Sequence, residues 1–145
     1  MSADAGRARR RLYLDTSAYL CILLGEEGSE RLAEETDGAE LLSSVLLVLE
    51  TRRTLIRLAR DGALKADHYK QCMERLNDDM AAFALRELTF DLCVSNLMPA
   101  VSTPRSLDLA HLRTALWFDA SDRLHRFVTM DAAQQQSARE LGLPV

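Results

Sequence analysis

R-L-Y-L-D-T-S-A-Y-L-C-I-L-L-G, residues 11–25, decides the architecture. Its first four residues form a short apolar strand candidate ending at Asp15, and a helix then runs until Gly25 stops it. The same alternation recurs down the chain. Residues 29–36 read as a second, polar helix and 40–43 as a short strand. Ser44 is a suitable cap for a helix over 45–60, which Asp61-Gly62 closes. A further helix spans 66–82, with Tyr69, Met73, Leu76 and Met80 at three- and four-residue spacing. A third strand is expected over 85–90, a helix over 91–98, and a Ser/Thr/Pro loop over 102–106. Ser106 then caps a helix over 107–118, and a fourth strand follows over 126–130. Asp131 caps a helix reaching 141, and 142–145 start a last edge strand. Strands alternating with helices define an α/β fold with a parallel sheet covered on both faces.

A chain of 145 residues suits one domain. Residues 1–10 lack apolar periodicity and read as a flexible tail, leaving 11–145 as the single domain. The cysteines, Cys21, Cys72 and Cys93, are odd in number and show no C-x-x-C spacing, so they are expected to be small buried hydrophobes. His68, His111 and His125 are scattered without zinc-ligand spacing, and His111 reads as a packing residue. The longest apolar stretches, 12–24 and 41–49, fall short of the roughly 20 residues a membrane span needs. Arg7, Arg9, Arg10 and Arg11 imitate the basic part of a signal peptide, but the run after them carries Asp15 and no cleavage site. A cytoplasmic location without membrane contact is the expectation.

The formal charge of −4 is the wrong sign for a protein that handles nucleic acid. Four carboxylates gathered around cations would account for all of it. The basic residues are 16 Arg against two Lys, and Arg52, Arg53, Arg57 and Arg60 share one segment. Arginine suits bidentate phosphate contact.

Asp15 and Asp131 end strands of a parallel sheet, at the edge where such folds bind ligands. Asp108 and Glu50 lie in early turns of helices, which open onto the same edge. Each aspartate has a simpler use, as a helix cap or a partner of the helix dipole. Glu50 closes the run Val45-Leu46-Leu47-Val48-Leu49, a helix start apolar all round and therefore expected to be buried. A buried glutamate needs a partner, and Arg53 is its local candidate. Hard divalent cations are the other solution, because they prefer carboxylate oxygens.

Four strings carry a resemblance: Y-L-D-T-S-A-Y-L (13–20), S-S-V-L-L-V-L-E-T-R-R (43–53), R-S-L-D-L-A-H-L-R-T-A-L (105–116) and F-V-T-M-D (127–131). Together they resemble PIN domains, most closely the VapC-type toxins of bacterial toxin–antitoxin pairs, from residue 12 onward. The resemblance implies a three-layer α/β/α sandwich and endoribonuclease activity that depends on Mg²⁺ or Mn²⁺. It also implies a homodimer, an RNA substrate and inhibition by a cognate antitoxin. Asp15, Glu50, Asp108 and Asp131 match the family's acidic quartet, while Ser17 and Thr129 match hydroxyl positions bordering the pocket. Residues 132–136 depart from the usual bulkier or charged pattern at the rim.

Other small α/β proteins with acidic pockets fit less well. A phosphoacceptor receiver needs a late lysine, and both lysines precede residue 71. A haloacid-dehalogenase-type phosphatase needs an aspartate where Ser17 stands. The open alternatives are a PIN-fold RNA-processing nuclease outside a toxin–antitoxin pair and a catalytically silent PIN-fold binding module.

Overall fold

The computed structural model describes residues 8–94, 99–102 and 105–145. β1 (Arg11–Leu14) lies inside a four-stranded parallel sheet, between β2 (Glu40–Ser44) and β4 (Arg126–Val128). β3 (Ala84–Arg86) pairs with the outer side of β2, giving the order β3-β2-β1-β4. Tyr13 stands opposite Leu42 and Phe127, and Leu14 stands opposite Val128. Side chains alternate across a strand, so Tyr13, Leu42 and Phe127 feed one face while Leu12, Leu14 and Val128 feed the other. Both faces of β1 must therefore be covered, which is why its sequence is an apolar run.

On the Tyr13 face, α6 (Ser106–Ser121) and α7 (Ala132–Glu140) supply Leu112, Ala115, Phe118 and Ala138 to the core. On the opposite face, α1 (Thr16–Leu24) and α2 (Ser29–Thr36) supply Ala18, Cys21 and Leu32. This is the expected three-layer α/β/α sandwich. α1 is apolar on two sides because it also packs against α3 (Leu46–Arg60) and α4 (Ala66–Ala82), through Tyr19 and Leu23 to Leu47, Leu55, Cys72 and Leu76. Truncating a fully buried leucine such as Leu55 or Leu76 to alanine costs about 2–5 kcal/mol. Among the described residues no helix is long and apolar enough to cross a membrane.

Several boundaries differ from the sequence reading. Ser44 closes β2, yet its Oγ still accepts the Leu46 N–H at 3.2 Å, so it serves the helix start from inside the strand. β3 stops at Arg86, and Phe90 opens the short α5 (Phe90–Val94) rather than ending a strand. β4 stops at Val128, level with the end of its partner β1 at Leu14, and the Thr129 hydroxyl beyond it turns to Asp15. Ser106 is the first residue of α6, not its cap; Arg105 precedes it without a side-chain cap bond. Residues 142–145 form no strand, although the Phe127 N–H donates to Pro144 O at 2.6 Å. Leu49 is 68% exposed, so the start of α3 is not buried all round. Cys93 is exposed, unlike Cys21 and Cys72. Residues 1–7 of the expected tail, 95–98 of the expected helix and 103–104 of the loop lie outside the described residues.

Candidate active site

The chain leaves β1 toward β2 and later returns to add β4 on the other side of β1. In an open parallel sheet such a switch leaves a crevice beyond the carboxyl ends of the two strands. A cleft of about 400 Å³ lies there, and Asp15, Glu50, Asp108 and Asp131 all line it, with Thr16, Ser17, Leu20, Arg53 and His111 among its other residues.

Asp15 is the most constrained of the four, at 4% exposure. It is the N-cap of α1, accepting the Ala18 N–H at 3.1 Å through Oδ1. Ser17 Oγ donates to the same oxygen at 2.7 Å, and Thr129 Oγ1 donates to Oδ2 at 2.5 Å. Ser17 and Thr129 also touch each other at 3.1 Å, and their oxygens accept the Met130 and Asp131 backbone N–H groups. The two hydroxyls thus tie the end of β1 to the turn after β4. Asp131 caps α7, its Oδ1 accepting the Ala133 and Gln134 N–H groups at 2.9 and 3.3 Å.

Asp108, in the first turn of α6, is half-buried. Gln134, fully buried on α7, donates from Nε2 to Asp108 O at 3.0 Å and so ties the two helix starts together. Glu50 is met by an unexpected partner. His111 Nε2 lies 2.8 Å from Glu50 Oε1, and Thr16 Oγ1 donates to the same oxygen at 2.8 Å. Tyr13, in the heart of the sheet, places its hydroxyl 2.8 Å from His111 Nδ1. His111 is therefore a polar partner of the cleft and not the packing residue its sequence context suggests. Arg53 makes no ion pair with Glu50 among the described residues; its charge acts from farther away.

These surroundings split the carboxylates. Burial pushes the Asp15 carboxyl above its ordinary range, and the hydrogen bonds from Thr129 and Ser17 recover only part of that. Asp108 is also pushed up, first by burial and then by the negative charges of Asp131 and Asp15. Burial acts upward on Glu50 too, but His111 and Thr16 outweigh it and hold this carboxyl below its ordinary range. The negative charges of Asp131 and Asp15 beside Asp108 mark a place where a cation would be welcome.

All the donors that line the cleft are hard oxygens apart from the His111 ring, the set that Mg²⁺ and Mn²⁺ accept. Among the described residues no three His, Cys, Asp or Glu side chains close around a common point. Mg²⁺ usually keeps several waters and takes one or two carboxylates directly, so the arrangement fits a hydrated ion and not an all-protein cage.

Sequence reasoning brought the four carboxylates, Ser17 and Thr129 to this place; the structure puts the carboxylates and Ser17 on the lining of the cleft and Thr129 beside it, bonded to Asp15. It missed Thr16, Tyr13 and His111. The available signal was the spacing of Asp108 and His111, which puts both on one face of α6. No protein-family model matches this sequence and no curated protein matches it significantly.

Proposed function

We propose that the chain is a PIN-type endoribonuclease, dependent on Mg²⁺ or Mn²⁺, that acts as the toxin of a toxin–antitoxin pair in the cytoplasm. The observation that carries this reading is the meeting of Asp15, Glu50, Asp108 and Asp131, from four separate segments, in one cleft at the carboxyl edge of the sheet. The four segments are the ones whose sequences resemble PIN domains.

A divalent cation, when bound, neutralises phosphodiester charge and lowers the pKa of its water. Asp15, Asp108, Asp131 and Glu50 would hold it, directly or through water. Ser17 and Thr129 fix the direction of the Asp15 oxygens, so this one carboxylate is aimed before any metal arrives. Glu50, kept ionised, turns a proton acceptor toward the water that attacks phosphorus. Arg53, exposed at the rim, meets the phosphate backbone of the RNA.

The cleft, lined by like charges, also suits an arginine delivered by an antitoxin. An apolar antitoxin segment would lie along residues 45–81, where Leu49 and Ile56 stand exposed. A homodimer accompanies the same resemblance. The deciding experiment is cleavage of total RNA with Mg²⁺, Mn²⁺ or EDTA, with cut sites mapped. Cleavage that EDTA abolishes and either metal restores is expected. Full activity in chelator, or none with any metal, overturns the reading, the latter leaving a silent binding module.

A further inference from the structure

One oxygen of Glu50 is fully engaged from inside the protein. Oε1 receives both the His111 Nε2 contact and the Thr16 hydroxyl, each at 2.8 Å. Thr16 and His111 are themselves 3.1 Å apart, so the three groups form a closed triangle. Oε2 makes no hydrogen bond to the described residues and is the oxygen left to the cleft. His111 has no freedom to choose another partner. Its ring is 2% exposed, stands edge-on to Tyr13 at 76°, and bonds the Tyr13 hydroxyl through Nδ1 at 2.8 Å. Tyr13 is fully buried and stacks at 5.3 Å on Phe127 of the neighbouring strand. A line of contact thus runs from β4 through β1 and α6 to Glu50 on α3.

We infer that Tyr13 and His111 are positioning residues: they clamp Glu50 Oε1 from the core so that Oε2 is left to face the cleft and the water that attacks there. The inference rests on the nuclease reading above. α3 has an exposed outer side near Leu49, and a glutamate there has several rotamers open to it. Fixing one of them removes the cost of arranging the carboxylate at the moment of reaction. Because Nε2 faces a carboxylate, it is the nitrogen that carries a proton; Nδ1 is held by Tyr13. The pattern is that of a partner which orients a group in the site while touching no substrate.

The test joins kinetics to a measurement that needs no metal. His111→Leu is expected to lower kcat by about 10–100-fold with KM little changed, the range for losing an orienting partner. His111→Gln, which restores a donor near the Nε2 position, recovers most of that loss. Tyr13→Phe keeps the ring and the packing and gives a smaller loss of the same kind. In a Glu50→Gln background His111→Leu costs nothing further, because the two act as a unit. In metal-free protein, the ¹⁵N resonances of His111 should shift at Nε2 in Glu50→Gln and at Nδ1 in Tyr13→Phe. Equal cost of His111→Leu in both backgrounds, or unmoved ¹⁵N resonances in a protein that cuts RNA, overturns the positioning role alone. A wild-type chain that cuts no RNA overturns the nuclease reading, and the role in catalysis with it.

Discussion

Asp15→Asn changes the charge of the most buried carboxylate and almost nothing else. Asparagine is as good an N-cap as aspartate, so the Ala18 N–H keeps its acceptor. The hydrogen bonds around it can be re-polarised without moving an atom. The new amide N–H donates to Thr129 Oγ1, Thr129 donates to Ser17, and Ser17 continues to donate to the Oδ1 position. What disappears is a buried negative charge and its repulsion of Asp108. Two carboxylates about 5 Å apart repel by roughly 3 kcal/mol at an effective dielectric of 20. Solvent in the open cleft screens this, leaving a gain of about 1–2 kcal/mol in chelator. For a domain of this size that raises Tm by about 3–7 °C. The sign of the pH dependence follows from the upward shift of Asp15. The folded protein holds the proton more tightly than the unfolded chain, so ionisation destabilises it above the folded pKa. The advantage of Asp15→Asn is therefore full above the folded pKa and closes as the pH falls through it toward the unfolded value. In Mg²⁺ the order reverses, since only the wild type gains stability by binding the ion. Thermal unfolding in EDTA and in Mg²⁺, at neutral and acidic pH, reads all of this beside RNA cleavage, which the variant should lose. A variant that is clearly less stable than wild type in EDTA refutes the reasoning, and one that still cuts RNA removes Asp15 from the site.

Glu50→Gln should behave in the opposite way, because its partners hold the Glu50 carboxyl below its ordinary range. That stability is present above the unfolded pKa and is lost as the pH falls through the folded one; the variant should melt lower than wild type in EDTA near neutral pH, and an increase like that of Asp15→Asn would contradict it. Thr51 has a buried hydroxyl without a hydrogen-bond partner among the described residues, so Thr51→Val removes an unsatisfied group at constant shape. Its urea midpoint should rise by the equivalent of about 1 kcal/mol, and a fall would show that the hydroxyl has a partner in solution.

The order of elements was legible because it depends on patterns with strong periods. The run 11–14 reads as a short apolar strand and is one, and Gly25 and Gly62, at φ 65° and 76°, stand where α1 and α3 were expected to stop. Boundaries governed by partners distant in sequence were not legible. Thr129 lies beyond the end of β4 because the partner strand β1 ends at Leu14, and its hydroxyl meets Asp15 across 114 residues of sequence. Leu49 was misjudged because burial depends on what stands opposite: α4 covers Leu47 and Leu55 but leaves Leu49 in the open. His111 was misread for a related reason. A histidine in the apolar context L-A-H-L is ordinary packing unless a tyrosine from the central strand and a glutamate from another helix meet it, and neither is near it in sequence.

Capping and participation in a site, alternatives when the aspartates are read one by one, coexist once their oxygens are counted separately. Asp131 satisfies α7 with Oδ1 alone, accepting two backbone N–H groups there. Asp15 satisfies α1 with Oδ1, and Thr129 takes one lone pair of Oδ2. Glu50 spends Oε1 on Thr16 and His111. In Asp131 and Glu50 a single oxygen carries the hydrogen bonds, and in Asp15 the second oxygen carries only one, so each carboxylate keeps acceptor capacity beyond its structural bonds. A residue chosen only to cap a helix would do as well as serine, threonine or asparagine, without the repulsion that raises Asp108. The cost of carrying full carboxylates at Asp15 and Asp108 is what a purely structural account leaves unexplained, and a cation in the cleft would remove that cost.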